Sequence, residues 1–183
     1  AHYNSAYLQN VISVFMILFG INFNAYFLLL TRKFKQLFKI EEIRVYLGVI
    51  AVFTTLIAFN VRGCFGSLRE SFHHSLFQVA SIITTTGFST VDFNQWPAFS
   101  KLLLVLLMFI GACAGSTGGG MKCSRILLLF KGVKKEMMSL IHPRLVRVHK
   151  MDGQRVQHEV MRSVNAFLVA YLIVIATSIL IVS

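Results

Sequence analysis

Charged residues are scarce in this chain of 183 residues, where they make up 14% of the sequence and only seven are acidic. Soluble domains carry about 25% charged residues. This deficit, together with a mean hydropathy of +0.70, excludes an ordinary soluble protein. Proline is also scarce, and both prolines, Pro97 and Pro143, lie outside the longest apolar runs. Long apolar helices are therefore permitted, and the composition predicts an all-α integral membrane protein.

The chain has few residues that could build a metal centre or a disulfide framework. Its three cysteines, Cys64, Cys113 and Cys123, lack the spacing of metal ligands, and we interpret them as packing residues. His73 and His74 are adjacent and so cannot share one face of a helix, which favours polar rim residues over metal ligands. No nucleophile–base pair or carboxylate pair can be placed, so we expect neither a cofactor nor an enzyme.

The net charge of +11 comes from basic residues beside apolar runs. Five of the 18 Lys and Arg residues fall in residues 32–44 and eight in residues 131–162. This pattern is typical of membrane proteins, whose cytoplasmic loops are rich in Lys and Arg. We therefore expect a lipid bilayer rather than nucleic acid as the partner, with the two basic stretches on the inner side.

Four stretches are candidates for membrane-spanning helices, because about 20 apolar residues cross the hydrocarbon core. They are residues 7–31, which carry Asn22 and Asn24 as polar inner residues, residues 45–61, residues 99–130 and residues 160–183. The last stretch runs to the final residue, and the chain starts at Ala1, so we expect a segment of a longer membrane protein.

Residues 68–83 are too polar to span against lipid, since they include Arg69, Glu70, His73 and His74. We predict a re-entrant pore helix that dips in from outside, with residues 84–88 (Thr-Thr-Thr-Gly-Phe) at its deep end. Non-helical backbone survives at that depth only inside protein or beside water. A helix C-terminus also favours a cation. An amphipathic helix lying on the membrane surface is the alternative.

Glycine is concentrated in residues 111–120, where three consecutive glycines should break the apolar stretch near residues 115–120. A phosphate-binding loop is excluded, because Met121 separates Gly120 from Lys122. Two interpretations stay open. The glycines could form a helix-packing seam, or a flexible loop that obstructs a pore below residues 84–88, with Lys122 and Arg125 placing positive charge near its inner opening.

These two motifs together resemble the Trk/Ktr/HKT family of potassium transporters. The likeness rests on residues 84–88, on the Ala-Gly-Ser-Thr-Gly-Gly-Gly-Met-Lys run of residues 114–122 with Arg125, and on Leu140-Ile141-His142-Pro143, which is similar to the bacterial Trk branch. The resemblance implies four successive helix–pore helix–helix repeats around one pore. It divides the chain into residues 1–44 (the last helix of one repeat and a cytoplasmic link), 45–130 (a complete repeat), 131–159 (a cytoplasmic basic loop) and 160–183 (the first helix of the next repeat).

The resemblance also implies a role for each motif. One quarter of a carbonyl-lined selectivity filter would consist of Thr85, Thr86, Gly87 and Phe88, with K⁺ bound at the first three. The family's gating loop would consist of Gly115, Ser116, Thr117, Gly118, Gly119 and Gly120. Lys122 and Arg125 would stabilise the closed loop.

We therefore expect potassium uptake across the bacterial cytoplasmic membrane by a multi-pass protein with no catalytic residues. The family implies a homodimer and a cytosolic nucleotide-binding regulatory subunit. Coupling of K⁺ to H⁺ or Na⁺, as in a symporter, stays open. Two alternatives are a homotetrameric cation channel subunit and a non-transporting membrane scaffold.

Overall fold

The computed structural model describes residues 5–141, 150–152, 154–155 and 158–182. The chain forms two compact units that divide after Cys123. In the first unit the helices are α1 (Ala6–Phe19), α2 (Phe23–Leu30), α3 (Phe34–Leu37), α4 (Glu41–Asn60), α5 (Leu68–Ile83) and α6 (Ala98–Ile110). Short 3-10 turns form at Arg62–Cys64 and Phe93–Gln95. The predicted helical membrane fold is confirmed.

The second unit is built mainly from two helices. Helix α7 (Cys123–Ile141) starts at the unit boundary and α8 (His158–Val182) ends the described chain. Between them, β1 (Lys150–Met151) pairs antiparallel with β2 (Gln154–Arg155), with Lys150 opposite Arg155. Helix α7 therefore extends through the first third of the predicted cytoplasmic loop. The predicted turn at His142 and Pro143 lies outside the described residues.

Among the described residues, α4 and α8 are long and apolar enough to cross a membrane, and the bent pair of α1 and α2 would make a third span. Helix α6 is apolar but has only 13 residues. At 1.5 Å per residue it is about 20 Å long, shorter than the hydrocarbon core of about 30 Å. Its C-cap, Gly111, has a φ of 69°. The break predicted near residues 115–120 is confirmed, but it starts earlier than predicted, because α6 already ends at Ile110.

The prediction of one continuous helix over residues 7–31 was wrong. Helix α1 ends at Phe19, and α2 starts at Phe23 after a bend of 92°. At the bend, the Asn22 side chain accepts a 2.8 Å hydrogen bond from the Asn24 N–H and so caps the second helix. Gly20 lies at the break, and a Cβ there would overlap the Tyr46 hydroxyl.

Helix α5 is the centre of the first unit and packs against α4, α1 and α6. Its C-terminal half, Phe77 to Ile83, is buried on every side, whereas Arg69 and Glu70 near its start are exposed. A helix lying on the membrane surface would leave one face exposed along its whole length. The burial therefore favours the re-entrant interpretation. The bounds of α5 are those predicted.

Candidate functional site

Residues 84–88 fold back against the last turn of α5. The N–H groups of Thr85 and Thr86 donate hydrogen bonds of 3.0 and 2.9 Å to the Ile82 and Ser81 carbonyls. The Thr84 hydroxyl donates to the Ala80 carbonyl at 2.7 Å and lies 2.8 Å from the Thr86 hydroxyl. The loop is thus fixed to the helix by its own backbone and hydroxyl groups.

The backbone of this loop has a positive φ at two alternate residues, Thr85 (56°) and Gly87 (82°). For a residue with a Cβ, the left-handed region costs about 1–2 kcal/mol, and a β-branched residue there is a genuine outlier. A Cβ at Gly87 would meet no atom within 4 Å, so the requirement for glycine is conformational. Such strain persists only where the surrounding structure holds it.

The loop has one anchored end and one open face. Thr84 is 7% exposed, while the residues after it leave the protein interior. All four residues predicted for the filter are exposed in the described structure: Thr85, Thr86, Gly87 and Phe88. The backbone that was predicted to meet an ion is therefore on the open side of the first unit.

The second motif, residues 111–122, which we call the glycine loop, connects α6 to α7 without helical structure. Positive φ values recur in it at Gly111, Gly115, Gly120 and Lys122. Ser116 closes a tight turn by donating its hydroxyl to the Cys113 carbonyl at 2.6 Å. The segment is therefore an ordered loop and not a stretch of straight helix.

The glycine loop and the break between α1 and α2 form hydrogen bonds with each other, through backbone groups that have no partner within a helix. The Cys113 N–H donates to the Gly20 carbonyl at 3.1 Å, and the Phe23 N–H donates to the Gly115 carbonyl at 3.0 Å. Thr117 donates its N–H and its hydroxyl to the Phe19 carbonyl, at 3.4 and 3.2 Å. At membrane depth, backbone groups need partners within the protein, and two irregular segments supply them to one another here.

The glycine loop also lies directly against residues 84–88. The Gly119 N–H donates a 2.8 Å hydrogen bond to the Thr85 hydroxyl. A Cβ at Gly118 would overlap the Ala112 Cβ and lie 3.3 Å from the Thr84 carbonyl oxygen. Close packing, rather than flexibility alone, therefore explains the glycine at residue 118. The two motifs that the sequence separates by about 30 residues are in contact.

The two predicted basic residues have different surroundings. The Lys122 ammonium group donates to the Gly118 carbonyl, so it holds the glycine loop from within. Arg125 belongs to the second unit, where its guanidinium carbon lies 3.9 Å from the centroid of the Phe167 ring. This is the distance of a cation–π contact.

Sequence reasoning missed one residue that contacts the glycine loop. Glu42, the second residue of α4, is 3% exposed, and its Oε1 accepts a 2.6 Å hydrogen bond from the Ala114 N–H. Two adjacent acidic residues at the start of a helix are a common signal of an N-terminus. The only sequence signal that pointed to a further role for Glu42 was that the chain has just seven acidic residues.

The N-terminal half of α5 borders a cavity of about 470 Å³, whose lining includes Gln9, Glu70, His73, His74 and Thr90. His73 Nε2 lies 2.8 Å from Gln9 Oε1, and His74 Nδ1 lies 2.9 Å from the Thr90 hydroxyl. Burial lowers the pKa of His74 below its ordinary value, and His73 lowers it further, while Glu70 opposes the shift. Within the described ranges, no cluster of three potential metal ligands forms.

Comparison with known proteins gave consistent matches. The family model described as TrkH, a cation transport protein, matches residues 1–183. The Trk system potassium uptake protein TrkH of Escherichia coli is 35% identical over 183 residues, which cover 98% of this chain and 38% of that protein. The Trk system potassium uptake protein TrkG of the same organism is 36% identical over 175 residues, which cover 93% of this chain and 36% of that protein.

A solved structure shares the fold. The crystal structure of the potassium transporter TrkH from Vibrio parahaemolyticus matches with a TM-score of 0.89 and 33% identity, over 97% of this chain and 39% of that chain. The chain therefore spans between 36% and 39% of the length of these relatives.

Proposed function

Because the chain belongs to the TrkH family of cation transport proteins, we propose that it is one section of a gated pore that carries K⁺ into the cell. The family is one of multi-pass proteins of the bacterial inner membrane, and this chain has helices suited to that setting. Within this part of the pore, residues 45–130 form a complete helix–pore helix–helix repeat. Residues 1–44 end the repeat before it, residues 131–159 form a cytoplasmic loop, and residues 160–183 begin the next repeat.

The observation that carries the proposal is the contact between residues 84–88 and the glycine loop. A strained, open-faced loop at the C-terminus of a buried helix is a suitable cation site, because the helix end carries partial negative charge. A glycine-rich segment bonded to that loop through Thr85 is placed to obstruct the path beside it. A membrane scaffold would require neither the strain nor the open face.

Dehydrated K⁺ needs several oxygens at close range, and backbone carbonyls supply them in potassium-selective filters. In the proposed filter, K⁺ binds at Thr85, Thr86 and Gly87, and Phe88 completes the segment. The Thr84 and Thr86 hydroxyls are already hydrogen-bonded, so the carbonyls are the principal ligands. One such loop surrounds only a quarter of an ion, and three further loops belong to the rest of the longer protein.

In the proposed gate, residues 115–120 are the mobile element, with Lys122 holding Gly118 in the closed arrangement. Opening would require the loop to give up its hydrogen bonds to Thr85 and to the carbonyls of Phe19 and Gly20. Arg125 lies in the first turn of α7 and is proposed as the second basic residue associated with the gate.

The full-length protein is proposed to act as a homodimer with a cytosolic nucleotide-binding subunit of the Trk system. The basic cytoplasmic segments suit contact with such a subunit. The transported ion is K⁺, with or without coupled H⁺ or Na⁺, and the proposal assigns the chain no catalytic chemistry.

Potassium uptake by the full-length protein in potassium-starved cells tests the proposal. Gly87→Asp places a side chain and a carboxylate on the open face of the filter, where the backbone has a positive φ. We expect at least a tenfold fall in K⁺ uptake or in discrimination against Na⁺. Gly63→Asp is the matched control, since Gly63 is exposed and equally uncrowded but lies outside the filter. Wild-type rate and selectivity in a well-folded Gly87→Asp protein would overturn the filter assignment.

A further inference from the structure

A buried acidic residue at the start of α4 reaches the glycine loop. Glu42 is 3% exposed, although it lies in the first helical turn, where acidic residues are usually solvated. A buried carboxyl group is costly unless it has hydrogen-bond partners. One partner is the Ala114 N–H, which lies 2.6 Å from Glu42 Oε1 and 72 residues away in sequence.

The Ala114 contact is the middle one of three successive anchors. The Cys113 N–H is bonded to the Gly20 carbonyl, and the Gly115 carbonyl is bonded to the Phe23 N–H. Of these three anchors, only Glu42 is a side chain. A hydrogen bond from a backbone N–H to a carboxylate is roughly twice as strong as one between neutral groups, so this anchor contributes strongly to holding the loop.

The same face of α4 also holds the break between α1 and α2. Tyr46 follows Glu42 by four residues, so the two side chains lie on one face of the helix. Tyr46 is fully buried, donates its hydroxyl to the Ile17 carbonyl at 3.2 Å and lies against Gly20. Helix α4 thus contacts both irregular segments, the break between α1 and α2 and the glycine loop, which are hydrogen-bonded to each other.

We propose that Glu42 is a positioning residue for the gate, which holds the glycine loop closed through the Ala114 N–H. This inference rests on the proposed function of the loop, and it adds a specific side chain, on a different helix, that sets the loop's closed position. Loss of the Glu42 oxygen would leave the middle anchor empty while the two backbone anchors on either side persist. The loop should then open more often at residue 114.

The experiment uses Cys113 as the reporter, because its thiol is fully buried and adjacent to Ala114. In the full-length protein in membrane vesicles, with every other cysteine replaced by serine, the rate of Cys113 alkylation by a small maleimide reports opening of the loop. We expect Glu42→Ala to raise this rate about tenfold, which corresponds to the loss of one hydrogen bond to a charged group. Basal K⁺ flux should rise as well.

Two further variants separate positioning from a general structural role. Glu42→Gln keeps an oxygen at the same reach but makes the hydrogen bond a weaker, neutral one, so its alkylation rate should lie between those of the wild type and Glu42→Ala. Glu42→Asp keeps the acidic group but is one methylene shorter, so it should alkylate faster. A role based on charge alone predicts the reverse order. Glu41→Ala, which changes the neighbouring acidic residue of the same turn, is the matched control and should leave the rate unchanged.

Equal alkylation rates in the wild type and in both Glu42→Ala and Glu42→Asp would overturn the proposal, as would the reverse order of the Asp and Gln variants. Deletion of Gly118 to Gly120 separates this failure from failure of the proposed function. If the deletion raises K⁺ flux but Glu42→Ala does not, Glu42 does not position the gate. If alkylation follows the expected order while neither variant alters flux, the loop is held by Glu42 but is not the gate.

Discussion

The backbone N–H of Gly119 donates a 2.8 Å hydrogen bond to the hydroxyl of Thr85, a β-branched residue whose φ is 56°. One contact therefore joins a strained residue of the proposed filter to the proposed gate. A hydrogen bond to a residue held in an unfavourable conformation contributes to keeping it there. Movement of the glycine loop would release that restraint, so the filter conformation and the loop position should change together.

Thr85→Val tests this coupling, because valine keeps the branched shape but lacks the hydroxyl. Removing the hydrogen bond should lower the free energy of unfolding by about 1 kcal/mol. It should also reduce the selectivity for K⁺ over Na⁺, because the left-handed conformation loses its restraint. The measurements are thermal unfolding of the full-length protein and the ratio of the two ion fluxes. Thr85→Ser retains the hydroxyl and should preserve selectivity better than valine; equal selectivity in the two variants would contradict the coupling.

Gly118→Ala tests the packing between the two motifs. The added Cβ would overlap the Ala112 Cβ and approach the Thr84 carbonyl, and such overpacking typically costs about 1–3 kcal/mol. We expect a lower unfolding temperature together with altered K⁺ flux. Gly48→Ala is the control, because Gly48 lies inside α4 and a Cβ added there would meet no atom within 4 Å. Alanine there should be neutral or stabilise by up to about 1 kcal/mol. Two variants of equal stability would count against close packing at Gly118.

Gly20→Ala tests the contact between the helix break and α4. The new Cβ would meet the Tyr46 hydroxyl, so we expect a large loss of stability. Tyr46→Phe alone should cost about 1 kcal/mol, because it removes the hydrogen bond to the Ile17 carbonyl. The double variant should lose less stability than the sum of the two single losses, since the clashing hydroxyl is gone. Thermal unfolding of all four proteins measures this, and strict additivity would refute the contact.

The pKa of His74 predicts how the stability of the protein depends on pH. Burial, and secondly His73, lower this pKa below its ordinary value of 6.5. The unfolded chain therefore binds the proton more readily than the folded one, so stability is lost as pH falls from 6.5 through the folded-state pKa. His74→Gln should weaken this dependence. Unfolding midpoints measured from pH 7 to pH 5 provide the test, and identical slopes in the wild type and the variant would show that His74 is not responsible.

Local sequence signals were sufficient for α5 and for the broken helix that follows it. The start of α5 is set locally, since the Ser67 hydroxyl accepts a hydrogen bond from the Glu70 N–H. The mixture of polar residues in α5 excluded a lipid-facing span. Helix α6 ends at its C-cap, Gly111, the first residue of the glycine-rich segment 111–120, where helix propensity is low. At the start of α5 and at the end of α6, the residues that determine where the helix starts or ends lie within a few positions of that point.

Sequence signals failed where the cause lies far along the chain. Residues 7–31 are uncharged, so hydropathy predicted one span, but the carbonyls at their break are bonded to Cys113 and Thr117. The role of Glu42 depends on Ala114 in the same way. The left-handed Thr85 could not be predicted either, because threonine disfavours that conformation and only the surrounding contacts hold it.

The hydrogen bonds between the helix break and the glycine loop have a consequence for where the proposed repeats can be divided. Residues 1–44 and residues 45–130 belong to different repeats in the proposed architecture, yet α1, α2 and the glycine loop lie in one compact unit. Residues 45–130 taken alone lack the carbonyls of Phe19 and Gly20, which accept hydrogen bonds from the glycine loop. A cut at the boundary between the proposed repeats, after residue 44, would therefore separate the glycine loop from these hydrogen-bond acceptors.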